Sequence, residues 1–169
     1  MKKQLIFSFL AVFVCLCAFL IFKIQDKLAH QKIKAEQIKR LPDLLVFDLD
    51  SSCKKITEFV KVKQKTVLIF FNSTCEHCQY EASEIQKHLN QFEQVNLLMI
   101  SSENLSTIHN FAKIYSLQPT AKILKSSASE IFNHFGSIGF PSIFVYDTHG
   151  NLEKQFKGEV KMDLLITNE

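Results

Sequence analysis

Hydrophobic and polar positions divide this chain into three regimes. Residues 5–22 are apolar at every position except Ser8, with Lys2-Lys3 before them and Lys23 after. Eighteen such residues make a helix of about 27 Å, enough for the hydrocarbon core of a bilayer. A cleaved signal would show a shorter apolar core and an Ala-x-Ala-like site, and Cys17-Ala18-Phe19 offers none. One uncleaved transmembrane helix is expected within residues 1–23. Cys15 and Cys17 follow bulky Val14 and Leu16, so they read as small apolar members of that helix rather than lipid-modified cysteines. Residues 24–40 are charged and Gln-rich, with Leu28, Ile33 and Ile38 too sparse for a core face. They read as a helical or flexible stalk that ends at Pro42.

From residue 41 onward the periodicity changes repeatedly between strand and helix. A short strand is expected at 44–49 and a turn or short helix at 53–62. Residues 67–71 are apolar on consecutive positions, the mark of a strand covered on both faces. Cys78, Ala82, Ile85, Leu89 and Phe92 then step by four, three, four and three, which predicts a helix over 76–92. Another doubly covered strand follows at 96–101. Leu105, Ile108, Phe111, Ala112 and Tyr115 mark a second helix. Residues 120–124 read as a strand, and 130–135 as a short helix with Ile131, Phe132 and Phe135 inward. After Gly139-Phe140-Pro141 come a strand at 142–147, a hairpin turn at 148–151 and a weaker strand at 152–156. A helix at 160–166 closes the chain. The alternation predicts an α/β sandwich with a mixed central sheet over 41–169, a typical length for one core.

The formal charge of +3 is unevenly spread. Residues 23–40 hold six basic against two acidic residues, whereas 41–169 hold twelve Lys, no Arg and fifteen acidic residues. A mildly acidic domain excludes a nucleic-acid partner on electrostatic grounds. Sixteen Phe and no Trp supply the bulk of the core.

The candidate chemistry sits where the central strand meets the first helix. Phe70-Phe71-Asn72-Ser73-Thr74-Cys75-Glu76-His77-Cys78 places Cys75 at a helix N-terminus and Cys78 one turn in. Unpaired N–H groups and the helix dipole favour an anion there. Such sites lower a thiol pKa from about 8.5 to as little as about 3.5. Cys75 is expected to be the attacking thiolate and Cys78 the resolving thiol. Glu81 lies at i+3 from Cys78, on an adjoining face, and reads either as a solvated helix charge or as the acceptor of the Cys78 proton. A cationic His77 would stabilise the Cys75 thiolate and Glu76 would oppose it. That balance places the couple in the reducing half of the range of about −270 to −120 mV. A Cys-x-x-Cys is also half of a zinc site, but zinc takes four ligands. Cys53 and the scattered histidines supply no second pair at ligand spacing, and no metal or other cofactor is expected. Cys53 reads as a buried structural thiol, with a second exchange partner as the alternative. His88, His109, His134 and His149 read as surface or turn residues.

On these residues the chain resembles the thioredoxin superfamily, and within it the TlpA/ResA type of membrane-tethered thiol–disulfide oxidoreductases. The resemblance spans about 41–169. It rests on Phe70-Phe71 before Cys75-Glu76-His77-Cys78, on Glu81, on an extra strand–helix segment, and on Gly139-Phe140-Pro141-Ser142 before a strand ending Tyr146-Asp147. It implies a thioredoxin-like three-layer sandwich, preceded by one transmembrane helix. It further implies a cis Pro141 facing the cysteines, leaving the Phe140 backbone to pair with a client chain near Cys75. Glu76, His77, Phe140 and Pro141 would then meet the substrate, and Glu81 would take the Cys78 proton. The implied partners are disulfide-bearing clients, such as cytochrome c apoproteins or misoxidised periplasmic proteins, and an upstream thiol donor. A monomer is expected.

Three positions depart from the family pattern: Thr74 replaces a Trp, Ile69 replaces a buried Asp, and Ser83 replaces a Pro. Losing the Trp and Asp weakens the case for general protein-disulfide reduction more than the case for the fold. A peroxidase of peroxiredoxin type would want Thr or Ser where Asn72 stands, and a redox-inert metal-binding or scaffold module would not need both cysteines. Orientation is pulled both ways, since the basic cluster after the span favours a cytoplasmic domain and Lys2-Lys3 favour the opposite. A cytosolic reductase needs no anchor. The expected location is therefore a bacterial inner membrane, crossed once, with the catalytic domain on the periplasmic or outer side.

Overall fold

The computed structural model describes residues 2–166, apart from the side chains of 2–12, 14, 30 and 31. Helix α1 runs unbroken over Lys2–Gln37. Residues 1–36 form one compact unit and 37–169 another. Among the described residues no helix is long and apolar enough to cross a membrane. Half of the apolar stretch 5–22 lies outside the described side chains.

In the second unit, strand β3 (Lys65–Phe70) is buried at every position. Consecutive strand residues point to opposite faces, so a strand buried throughout must be covered on both sides. Val67, Ile69 and Phe71 enter one core with Ala82, Ile85, Phe111 and Leu165. Leu68 and Phe70 enter a second with Leu44, Ile131, Phe135 and Phe144. Phe135 packs against this second face with its ring inclined, the centroid 4.6 Å from Phe70 and 4.8 Å from Phe144 at interplanar angles of 63° and 59°. Helix, sheet and helix thus form the three layers of a thioredoxin-like α/β fold.

Among the described residues seven strands form the sheet, in the order β2 (Cys53–Lys55), β1 (Leu45–Phe47), β5 (Ala121–Lys125), β4 (Val95–Ser101), β3, β6 (Ser142–Tyr146) and β7 (Leu152–Lys157). Strand β3 pairs in parallel with β4 (Val95–Ser101), Lys65 beside Val95 through Phe70 beside Ile100. On its other side it runs antiparallel to β6 (Ser142–Tyr146), Phe70 beside Ser142. Strand β5 (Ala121–Lys125) adds in parallel to β4. The antiparallel pair β1 (Leu45–Phe47) and β2 (Cys53–Lys55) extends one edge, and β7 (Leu152–Lys157) forms the other. The sheet is mixed, as the alternation of periods predicts.

The helices begin where their caps say. Helix α2 (Glu76–Lys87) starts after Cys75. Helix α3 (Leu105–Ile114) is capped by Asn104, whose side chain accepts the Thr107 N–H at 2.9 Å. Helix α4 (Ala128–Phe135) is capped by Ser127, which accepts the Glu130 N–H at 3.0 Å, and ends at Gly136 with φ 73°.

Several expectations need correction. Residues 53–62 contain the strand β2 and a 3-10 turn over Ile56–Phe59, not simply a turn or helix. Every β2 side chain is exposed, so no hydrophobic period marked it. Cys53 is accordingly exposed on an edge strand rather than a buried structural thiol. Helix α2 stops at Lys87, and Phe92 reaches the core from a 3-10 turn over Leu89–Phe92. His88 Nδ1 lies 2.8 Å from the Glu84 carbonyl where the helix ends. In α4 the buried stripe is Ile131 and Phe135, one turn apart; Phe132, off that stripe, is 57% exposed. The last helix, α5, covers only Asp163–Ile166, because residues 158–160 are held as a loop described below. Ile38, read as part of a stalk, is buried in the second core.

Candidate active site

Three buried strands bring their ends to one edge of the sheet, and the cysteine motif hangs from the middle one. Beyond Phe70 the chain leaves β3 with the Phe71 N–H donating to the Ile100 carbonyl at 2.9 Å. Asn72 then closes a turn: its side-chain oxygen accepts the Thr74 N–H at 2.9 Å and hydroxyl at 2.7 Å, and its carbonyl accepts the Cys75 N–H at 3.2 Å. This turn delivers Cys75 to the N-cap of α2 in extended conformation. Ligand sites of open α/β sheets lie beyond the carboxyl ends of parallel strands, as here.

A carboxylate unnoticed in the sequence holds the turn. Glu103 accepts the Ser73 N–H at 2.7 Å and the Ser73 hydroxyl at 2.6 Å, and it also accepts the Ser101 hydroxyl at 3.1 Å. Gln79 reaches back from α2 to the Ser73 carbonyl at 2.9 Å. No local period in the sequence marks it, because the register that sets residue 70 beside 100 belongs to the folded sheet.

The two cysteines are reduced and differ in surroundings. Cys75 is half-buried, and its thiol donates to the Phe140 carbonyl at 3.6 Å. The Phe140–Pro141 peptide bond is cis, in the isomer the resemblance implies. Cys78 is 1% exposed. Burial pushes its thiol up to about 12; Cys75 and Glu81 add to the rise, and the Asn72 N–H, 3.5 Å from the sulfur, works against it.

Glu81 is also 1% exposed, which removes the reading of it as a solvated helix charge. Its Oε2 accepts the Val160 N–H at 3.0 Å, while Oε1 is buried with no hydrogen-bond partner among the described residues. Burial raises the carboxyl to about 7, with the Val160 N–H opposing and the charges of Glu159 and Glu84 reinforcing. A buried carboxyl raised toward neutrality lies in the field of the buried thiol, the kind of perturbed pair that marks a candidate site for proton transfer.

His77 has a carboxylate partner from outside its own helix. Its Nδ1 lies 2.6 Å from Glu159 Oε1, while Glu76 is exposed in the first turn of α2. The fold therefore collects Cys75, His77, Cys78, Glu81, Phe140 and Pro141 at one place. It leaves Cys53 out. Strands β1, β5 and β4 intervene between β2 and β3, a separation of about 19 Å at the usual strand spacing. Among the described residues no three metal-ligating side chains cluster.

A reduced Cys-x-x-Cys at a helix N-terminus, facing a cis-proline on a mixed sheet, defines a thioredoxin-like thiol–disulfide oxidoreductase. The chain belongs to the AhpC/TSA family, whose model matches residues 38–155. It is 25% identical over 163 residues to the thiol-disulfide oxidoreductase ResA of Bacillus thuringiensis subsp. konkukian, covering 94% of this chain and 91% of that one. Among solved structures, MTB DsbF in its mixed oxidized and reduced forms superposes with a TM-score of 0.61 at 20% identity, over 77% of this chain and 92% of that one. StoA from Bacillus subtilis does so with 0.56 at 23% identity, over 72% and 91%. These two structures share the fold. The protein is an oxidoreductase of thiols and disulfides.

Proposed function

We propose that the Cys75–Cys78 dithiol reduces disulfides of extracytoplasmic proteins from a membrane anchor. The observation that carries this is the split between an accessible thiol at the Phe140 carbonyl and a buried thiol backed by Glu81. The Cys75 thiolate attacks one client sulfur, the client S–S bond breaks, and the departing client thiolate takes a proton from water. A Cys75–client disulfide remains. Cys78 then gives its proton to Glu81 and attacks Cys75 Sγ, releasing the second client thiolate, which is protonated in turn. The balance is two electrons to the client, two client thiols and one Cys75–Cys78 disulfide. An upstream thiol donor restores the dithiol. Glu76, His77, Phe140 and Pro141 form the rim that a client chain meets.

The anchor is residues 5–22, joined through 24–40 to the domain at 41–169. The uninterrupted apolar sequence supports it, as does the exposure of Phe13, Leu16, Phe19, Leu20, Ile21 and Phe22 at 51–66% on α1. We place the domain on the outer side of a bacterial inner membrane. Cytochrome c apoproteins and misoxidised secreted proteins are the client classes that such a position makes available. Asn72 stands where a peroxidatic site would carry Thr or Ser, so peroxide reduction is disfavoured.

The test is trapping with Cys78→Ser in intact cells. Clients should accumulate as mixed disulfides on Cys75, released by dithiothreitol and named by mass spectrometry. Adducts that persist in Cys75→Ser, or cytosolic proteins alone among the clients, would refute the proposal.

A further inference from the structure

Three consecutive residues of the loop after β7 each hold a different part of the site. The Gly158 N–H donates to the Pro141 carbonyl at 2.9 Å, Glu159 grips His77 at 2.6 Å, and the Val160 N–H donates to Glu81 at 3.0 Å. Gly158 has φ 85°, a conformation that side chains other than glycine rarely adopt, so the strap is shaped by its own sequence. Two of the three contacts are backbone donors that many residues could supply. The middle one is a charged side chain directed at the histidine between the cysteines.

We propose that Glu159 is a positioning residue for thiol–disulfide exchange, tying the His77 imidazole to the strap and thereby holding the Cys75–Cys78 couple toward its reducing side. The inference rests on the Cys75–Cys78 couple proposed above. An imidazolium beside an attacking thiolate stabilises it, and stabilising the reduced form makes a couple more oxidising. In this structure the imidazole is instead directed to Glu159, whose carboxylate would offset an imidazolium there. The side chains are exposed enough, 70% for His77 and 37% for Glu159, that the ring would be free to swing if the carboxylate were gone. The same carboxylate lies within the field of Glu81, which also faces Glu84 from its own helix and Cys78 one turn back. Removing the Glu159 charge also eases ionisation of Glu81, and an ionised Glu81 raises the Cys78 thiol, so this second effect opposes the one through His77 and persists when His77 is absent.

The experiment equilibrates the full-length protein with glutathione buffers at pH 6, where an ordinary imidazole is mostly protonated. The reaction exchanges two protein thiols and one glutathione disulfide for a Cys75–Cys78 disulfide and two glutathiones, passing two electrons to glutathione. Glu159→Gln should lower the equilibrium constant for protein oxidation about three- to tenfold, a rise in potential of about 14 to 30 mV. In a His77→Ala background the same substitution should produce less than half that shift, and Glu159→Asp, which keeps the charge, should recover most of the native value. No shift in Glu159→Gln, or an equal shift with and without His77, overturns the role assigned to Glu159. Failure of the native protein itself to form a Cys75–Cys78 disulfide in any glutathione buffer would instead refute the couple, which keeps the two failures distinct. Should Glu159→Gln lose its native circular dichroism, Glu159→Asp and His77→Ala alone still decide. The proposal then requires His77→Ala to leave the potential at or below native, and a more oxidising His77→Ala refutes it.

Discussion

The mouth of this site and its floor carry the same residue type and give it opposite chemistry. At the mouth, Cys75 sits on a helix N-cap beside the Phe140 carbonyl, with His77 and Phe140 open to solvent. On the floor, Cys78 and Glu81 are each 1% exposed, and burial drives both toward their neutral forms. Only Glu76 and His77 separate the two cysteines. The lesson is that a two-cysteine centre is made asymmetric by depth. One sulfur is reachable, and burial holds the other in its protonated form.

The largest effect should come from erasing one member of the pair. Cys75→Ser is expected to abolish insulin disulfide reduction, a loss of at least about 10³-fold, since no attacking sulfur remains. In the native reduced protein, iodoacetamide should label Cys75 while Cys78 reacts at least about 100-fold more slowly, because only the thiolate is nucleophilic and that of Cys78 is scarce. Peptide mass spectrometry of the labelled protein reads this directly. Equal labelling of both cysteines would break the contrast between mouth and floor.

The next effect concerns the base. Glu81→Gln should slow resolution of a Cys75 mixed disulfide by about 100-fold at pH 8, the usual scale of lost base catalysis. Glu81 accepts a proton only when ionised, so the native rate should rise as pH passes about 7, and the variant should lack that step. Stability should move the other way. The folded value of about 7 lies above the ordinary 4.5, so the native fold holds a proton that the unfolded chain releases. The contribution of this one group to stability is therefore greatest below pH 4.5, falls as pH rises to about 7, and is level above it. Relative to native, Glu81→Gln should be more stable at pH 8 than at pH 4 by about 3 kcal/mol in urea denaturation. A pH-independent difference would refute the buried carboxyl.

A smaller effect sharpens how the mouth is held. Glu103→Ala removes the acceptor of both Ser73 bonds and leaves the Ser73 N–H without its carboxylate. It should cost about 1 to 3 kcal/mol of stability. Thermal unfolding measures that cost, and Cys75 labelling should speed up or slow down as the turn loosens. An unchanged midpoint and unchanged labelling would show that the turn stands without Glu103.

Legibility followed range. The strand–turn–helix around Cys75 was readable because each part has a local period: continuous apolar residues, then Asn-Ser-Thr, then a stripe from Cys78 to Ile85. The ends were less legible. Helix α2 stops at Lys87 although its apolar stripe runs on to Phe92, because a 3-10 turn can bury the same Phe. Strand β2 carried no pattern at all, since an edge strand with every side chain in solvent has nothing to alternate. The expectation of a buried Cys53 failed for the same reason.

What the chain determined by itself is the layered α/β fold and the placement of two sulfurs one turn apart, since both follow from side-chain periodicity within a single element or between neighbours. What the tertiary structure alone decided is the company those sulfurs keep. The Ser73–Glu103, Glu81–Val160 and His77–Glu159 contacts join residues 30, 79 and 82 positions apart. No local period records such distances. Whether a carboxylate titrates near 4 or near 7 depends on which surfaces close over it, and those surfaces meet only when the sheet has brought β7 and the strap beside α2.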